Sequence, residues 1–258
     1  MNYFTNKIER AAEAKLHTKT MERMWSDEIK HSITETHMYN EPIMDLELNV
    51  TNKKSSPEII VVDEDSVRAV FCHATKKTAV LNFASFKQPG GMFLEGSSAQ
   101  EESLCMESDL YNVLVRFKDS WYAKNVTMLN GGLYKDRALY SPDIMFMRNN
   151  DITYADVITC ACPNKSLIRY GHFSENENSS ALAQRIDFVL QIAAKESVDT
   201  LILGAFGCGV FSQDADEVAN CFKNSLNKYG HHFSKVVFAV PCFSKNDKNH
   251  EAFVKVFS

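Results

Sequence analysis

Two adjacent acidic side chains, Glu101 and Glu102, follow a glycine turn at residues 89–91 (Pro-Gly-Gly). Their carboxyl groups could transfer protons as a general acid and base. The turn could hold phosphate, because glycine lets the main chain approach a ligand closely and successive N–H groups form a concavity for anions. The apolar segment Thr78–Phe83, which precedes the turn, is typical of a buried strand. Open α/β sheets bind ligands at the carboxyl ends of their strands, so we expect a site here.

The spacing of the two acids limits what they can do. Adjacent helical residues diverge by roughly 100°, so both carboxylates cannot flank one scissile bond as they do in most glycosidases. One can face a cleft while the other binds a hydroxyl group or caps the helix. Taken alone, the pair could also be no more than favourable charges at a helix N-terminus. Asn82 on the preceding strand and Gln100 just before the pair favour the functional interpretation.

A second glycine-rich stretch, TLILGAFGCGVFSQD at residues 200–214, has the same organisation. The apolar strand Leu201–Leu203 leads into a loop with three glycines, and a helix begins near Asp214. A strand, a glycine loop and a helix N-terminus in this order form a cradle for phosphate. Rossmann and P-loop proteins contain similar strings, although no Walker lysine follows this one. Phe211, at the end of the loop, could be a ligand contact or a core aromatic.

The first of these motifs resembles a known family signature. Residues 82–84 (Asn-Phe-Ala), 89–91 (Pro-Gly-Gly) and 99–102 (Ala-Gln-Glu-Glu) resemble the signature of the bacterial-type poly(ADP-ribose) glycohydrolases, a branch of the macrodomain superfamily. The family motif is a glycine triplet, a spacer and then Gln-Glu-Glu, and this chain has Met92 in place of the third glycine. The resemblance covers most of the chain from about Glu58, and the second glycine stretch is similar to the diphosphate loop of the same family.

The resemblance implies a role for each motif. Glu102 is expected to be the general acid on the oxygen that leaves C1 of the distal ribose, and then to activate water. Glu101, the other acid of the catalytic pair, is expected to fix that ribose together with Asn82 and Phe211. The two glycine loops are expected to hold the diphosphate. The implied substrate-binding residues are Asn82, Gly90, Gly91, Gln100, Gly204, Gly207, Cys208, Gly209, Val210 and Phe211.

Three functions remain open at this point. The Gln-Glu-Glu motif favours hydrolysis of the ribose–ribose bonds of poly(ADP-ribose) carried by modified proteins. The second possibility is removal of a single ADP-ribose, or hydrolysis of O-acetyl-ADP-ribose. The third is a non-catalytic module that binds ADP-ribose or an NAD derivative, and the two glutamates argue against it, because binding alone does not need a carboxylate close to an anionic ligand.

Composition excludes several other classes of function. The chain has 258 residues with 45% apolar and 24% charged residues, which is ordinary for a globular protein. Its net charge of −5 argues against a broad nucleic-acid-binding surface. Seven cysteines, an odd number, fit a reducing cytosol, and no apolar run is long enough to span a membrane or to form a signal peptide. We therefore expect a cytoplasmic monomer that needs no cofactor and no metal.

The remaining pattern predicts the elements that hold these motifs. Strands alternate with helices, and the strands are continuously apolar, which indicates an α/β fold: a three-layer, macrodomain-like sandwich around a mixed sheet. Residues 1–57 are predicted to be a helical extension and linker packed on the main domain, and residues 58–258 the catalytic domain. Met21, Met24, Trp25 and Ile29 form the apolar stripe that would dock the extension. The polar residues 172–180 are predicted to be a mobile loop near the cleft.

Overall fold

The computed structural model describes residues 6–43, 56–75, 77–244 and 247–258. Its strands are β1 (His37–Tyr39), β2 (Glu58–Val62), β3 (Thr78–Phe83), β4 (Ala138–Arg148), β5 (Asp151–Cys160), β6 (Thr200–Leu203) and β7 (Lys235–Ala239). They form one sheet with the order β1-β4-β5-β3-β6-β7-β2. The strands from β5 to β2 in this order run parallel, whereas β4 is antiparallel to both of its neighbours. The sheet is therefore mixed, with β3 near its centre.

Helices cover the sheet and connect its strands. They are α1 (Lys7–Met24), α2 (Ser26–Glu35), α3 (Ser66–His73), α4 (Gln100–Met106), α5 (Leu110–Leu114), α6 (Ala123–Asn125), α7 (Glu175–Lys195), α8 (Ala215–Tyr229) and α9 (Lys248–Phe257). Shorter 3-10 turns lie at Val115–Phe117, Val126–Met128, Asn130–Gly132, Lys165–Tyr170 and Gly230–His232, with a π-helical turn at Lys118–Tyr122.

Both faces of the sheet are buried. Consecutive side chains of a strand enter opposite faces, so Val80 and Leu81 of β3 belong to different core clusters. Val80 shares its cluster with Val70 of α3, whereas Leu81 shares its cluster with residues of α7 such as Ile186. Helices therefore lie on both sides of the sheet, and the predicted three-layer sandwich around a mixed sheet is confirmed.

The N-terminal segment packs on one face of the sheet and also adds to its edge. Met21 and Ile29 of the predicted stripe are buried, whereas Met24 is exposed, because α1 ends at this residue and α2 begins two residues later. β1 then pairs with β4 as an edge strand of the main sheet. The predicted linker lies largely outside the described residues.

The prediction that residues 172–180 form a mobile loop was wrong for residues 175–180, which are helical. Ser174 caps α7, and a capping box joins it to Glu177, so the helix begins at Glu175. The polar composition reflects exposed side chains on the first turns of this helix, and Asn178 is buried where it pairs with Gln213. A Ser-x-x-Glu sequence is the local signal for such a start.

Candidate active site

Gln100 joins α4 to the end of β3. Its side-chain Nε2 donates to the Leu81 carbonyl oxygen (2.9 Å) and to Ser66 Oγ (3.0 Å), and its Oε1 accepts from the Phe83 N–H (2.9 Å). The amide thus acts as a short continuation of the sheet and sets the rotation of α4. As a result, the next two residues, Glu101 and Glu102, point into the protein. Sequence reasoning predicted Gln100 as a substrate contact, but its polar atoms bind the protein itself.

Glu101 is the more enclosed of the two acids, with 3% of its surface exposed. Its carboxyl group accepts from the Ser85 N–H (2.7 Å) and from Asn82 Nδ2 (3.3 Å). Burial raises the pKa of Glu101 to about 8, with a smaller contribution from the nearby Glu102 carboxylate. Glu101 is therefore mostly protonated at neutral pH and can donate a hydrogen bond as well as accept one.

Asn82 is the penultimate residue of β3. It lies opposite Thr159 of β5, and its Nδ2 donates to Thr159 Oγ1 (3.3 Å) as well as to Glu101. Its Oδ1 is buried and has no hydrogen-bond partner among the described residues. An unpaired buried acceptor of this kind is unusual and can be satisfied by a bound hydroxyl group.

Glu102 is held by the glycine turn. It is 7% exposed, and its Oε1 accepts from the Met92 N–H (2.9 Å). Gly91 has φ +58°, and a Cβ on it would lie 2.7 Å from Glu102 Oε1 and 2.9 Å from Glu101 Oε2. Only glycine therefore lets the turn approach both carboxyl groups. Gly90 packs in the same way on the ring of Tyr111.

Met92 fits where the family motif has its third glycine. Its backbone is outside the left-handed region that would require glycine. The contact with Glu102 uses its main-chain N–H, which every residue except proline supplies, and its side chain is half-exposed. The replacement of glycine by methionine therefore leaves the hydrogen bond to Glu102 intact.

The second glycine loop has a packed base and an open tip. Gly204 lies against the Ala239 carbonyl oxygen, and Gly207 against Cys162. By contrast, a Cβ on Gly209 would meet no atom of the described residues within 4 Å, and Val210 is 78% exposed.

The tip also carries the donors. The main-chain N–H groups of Gly209, Val210 and Phe211 have no partner among the described residues, whereas that of Cys208 donates to the Ala205 carbonyl oxygen (3.1 Å). The loop thus offers donors to an anion at residues 209–211, and the Cys208 N–H is used within the turn. This distinction depends on the fold of the loop and could not be read from its glycines.

Phe211 and Phe83 bring the two loops together. The Phe211 ring packs on Tyr134 (6.1 Å between centroids), which stacks on Phe86 of the segment after β3 (4.5 Å). Phe83, the last residue of β3, packs on Phe206 of the second loop (5.6 Å). Tyr134 and Phe86 were missed by sequence reasoning, because no motif joins aromatic residues so far apart in the chain.

A cavity of about 360 Å³ lies where the loops meet, and we call it the cleft. Gln100 and Phe83 line it from the first motif, and residues 207 and 209–211 line it from the second. It continues past Asp65 and Phe243 towards α9. Asn82, Glu101 and Glu102 are buried beneath the turn of Gly90 and Gly91, and these five residues form a separate group beside the cleft that does not line it. The predicted site residues thus fall into two neighbouring groups, except for Gly204 and Cys208, which belong to the second loop but do not line the cleft.

Among the described residues, no group of three or more His, Cys, Asp or Glu side chains could hold a metal ion. None of the helices in this part of the chain is long and apolar enough to cross a membrane.

Comparisons with known proteins place this geometry in a family. The model of the microbial-type PARG catalytic domain matches residues 7–149, which include α1 and α2 as well as the first glycine turn and both glutamates. The resemblance therefore begins earlier than about residue 58, where sequence reasoning placed it. No curated protein matches the chain.

Solved structures agree with this match. A poly(ADP-ribose) glycohydrolase from Thermomonospora curvata is 28% identical with a TM-score of 0.84, over 97% of this chain and 100% of that one. A point mutant of that enzyme is 30% identical, with a TM-score of 0.82 over the same shares. A poly(ADP-ribose) glycohydrolase from Deinococcus radiodurans in complex with ADP-ribose is 29% identical, with a TM-score of 0.77 over 88% of this chain and 96% of that one. This chain therefore belongs to the microbial-type poly(ADP-ribose) glycohydrolase family.

Proposed function

We propose that this protein hydrolyses the ribose–ribose O-glycosidic bonds of poly(ADP-ribose) and releases ADP-ribose, with Glu102 as the general acid and base. The observation that supports this most strongly is the placement of Glu102: it is buried beside the cleft and held by the Met92 N–H. A family match over residues 7–149 supports the same activity.

The open tip of the second loop supports the binding of a diphosphate. The N–H groups of residues 209–211 have no partner among the described residues, and the first of these residues, Gly209, has open space around it. Main-chain donors of this kind hold phosphate without a basic patch, which suits a chain of net charge −5. The cleft continues from there towards Phe243, which leaves room for the nucleoside of ADP-ribose.

The two glutamates divide the chemistry between them. In its protonated form, Glu102 donates a proton to the oxygen leaving C1 of the distal ribose, and the bond breaks through an oxocarbenium-like state. The resulting carboxylate then takes a proton from the water that attacks C1, which restores Glu102. Glu101 and Asn82 bind the ribose hydroxyl groups. Because Glu101 is mostly protonated at neutral pH, it adds little negative charge beside the diphosphate.

The substitution Glu102→Gln tests the assignment. We expect release of ADP-ribose from poly(ADP-ribosyl)ated protein to fall by at least about 100-fold, within the usual range for general acid–base catalysis. Binding of ADP-ribose, measured by calorimetry, should be retained. Glu95→Gln is the matched control, because Glu95 lies on the same loop but is exposed, and it should keep full activity.

The outcomes separate the remaining functions. Activity of Glu102→Gln within twofold of the wild type would remove Glu102 from the mechanism. A wild type that binds ADP-ribose but releases none would be a binding module. A wild type active only on mono-ADP-ribosylated protein would be a mono-ADP-ribosyl hydrolase.

We also place the protein in the cytoplasm as a monomer that acts on modified proteins. All seven cysteines are free, which fits a reducing compartment.

A further inference from the structure

Helix α1 lies directly on residues 89–97, the loop that carries Gly90 and Gly91, which we call the catalytic loop. Gly96, near the end of this loop, has φ +79°, and a Cβ on it would overlap the Lys7 carbonyl oxygen and lie 2.8 Å from the Ala11 nitrogen. Arg10 Nε donates to the Gly96 carbonyl oxygen (2.8 Å). The main chain of the loop is therefore in contact with the first turns of α1, with no side chain between them.

His17, two turns further along α1, contacts the same loop through its ring. The ring meets Phe93 edge-on, with 6.4 Å between centroids. Its Nε2 lies 2.8 Å from the Ser108 carbonyl oxygen, and since a carbonyl can only accept, the ring nitrogen donates. Burial lowers the pKa of His17, so the ring is neutral at pH 7 and this N–H is fixed on Ser108.

A continuous set of contacts leads from His17 to the glutamates. Phe93 packs on Tyr111 (5.2 Å), and the Tyr111 ring is the surface on which Gly90 rests. The Phe93 N–H donates to the Gly90 carbonyl oxygen (3.0 Å), which closes the turn. Met92, between these two residues, gives its N–H to Glu102.

We infer that α1 is a brace for the catalytic loop, and that His17 is a positioning residue which holds the Met92 N–H against Glu102. The inference rests on the proposed function for its kinetic consequence. Loss of the His17 ring would let Phe93 and the turn move, and Glu102 would lose the donor that orients it. The second loop packs on Phe83 and Tyr134 and not on α1, so it would still bind the diphosphate.

The substitution His17→Ala tests this inference against His31→Ala. His31 is a matched control, because it also lies on the N-terminal segment and bonds to the main domain, at Asp143 Oδ2 (3.1 Å), but away from the loop. For His17→Ala we expect kcat to fall about tenfold while KM stays within about twofold. Hydrogen exchange of the amides in residues 90–97, measured without substrate, should become at least threefold faster. His31→Ala should change neither quantity.

Three results would overturn the inference: a normal kcat in His17→Ala, unchanged exchange in residues 90–97, or equal effects in both variants. Exchange does not depend on turnover, so a wild type that releases no ADP-ribose would contradict the proposed function and leave the exchange test intact. If His17→Ala does not fold, Arg10→Met tests the brace by the same two measurements, with the exposed Arg23→Met of the same helix as its control.

Discussion

The two glycine loops are built in opposite ways. At the first, Gly90 and Gly91 are pressed between Tyr111 and two buried carboxyl groups, and the outer side of the loop is covered by α1. At the second, Gly209 and Val210 stand in open space. The difference fits the role that we propose for each loop. A carboxyl group that transfers protons has to be held in one orientation and shielded from water, whereas a diphosphate has to reach main-chain donors that are otherwise unpaired.

The largest effect should come from adding one methyl group to the first loop. Gly91→Ala places a Cβ within 3 Å of both carboxyl groups at a φ that disfavours alanine, so we expect activity to fall by more than about 100-fold. Gly209→Ala meets no atom of the described residues, and its activity should stay within about threefold of the wild type. Steady-state kinetics, with circular dichroism to check folding, measure both. Equal losses in the two variants would remove the contrast between the loops.

A smaller effect concerns stability and its dependence on pH. The pKa of Glu101 rises from 4.5 to about 8 on folding. Between these values the unfolded chain has lost the proton that the folded protein keeps. The free energy of unfolding should therefore fall as pH rises, by on the order of 1 kcal/mol per pH unit, and level off above the folded pKa.

Glu101→Gln removes this titration, so the slope due to residue 101 should disappear. Urea denaturation of both proteins at pH 5, 6.5 and 8 measures it, and the variant should lose less stability between pH 5 and pH 8 than the wild type does. Parallel curves for the two proteins would show that the Glu101 carboxyl group is not protonated in the folded state. No comparable slope is expected from the second loop tip, where residues 209–212 carry no carboxyl group.

The smallest effect should come from the second loop. Phe211→Ala removes a half-buried ring beside Tyr134, so we expect the Kd for ADP-ribose to rise about tenfold, which is about 1.4 kcal/mol. Hydrogen exchange of the amides in residues 90–97 should not change, because α1 and not Phe211 holds the first loop. Calorimetry measures the affinity, and Tyr170→Ala, an exposed aromatic that does not line the cleft, is the control. An unchanged Kd would exclude Phe211 from the ligand site.

Local sequence was sufficient wherever the deciding contacts are close in the chain. β3 lies at Thr78–Phe83 as predicted, because its apolar run and the turn that follows are both local. Asp214 caps α8, where a helix was expected to begin. The start of α7 could have been predicted as well, from the Ser174 and Glu177 capping box, and was missed because its first turns are polar.

The sequence by itself determined the order of strand, glycine turn and acidic helix, and with it the family and the candidate acids. Only the tertiary structure decided which polar atoms remain available: the Gln100 amide is used by β3, and the Cys208 N–H is used within its own turn. It also decided that Glu101 is buried deeply enough to keep a proton, and that α1 covers the catalytic loop. The physical reason is the distance along the chain over which each interaction acts. Steric limits and capping bonds act between neighbours in the chain, whereas desolvation depends on segments that meet only after folding.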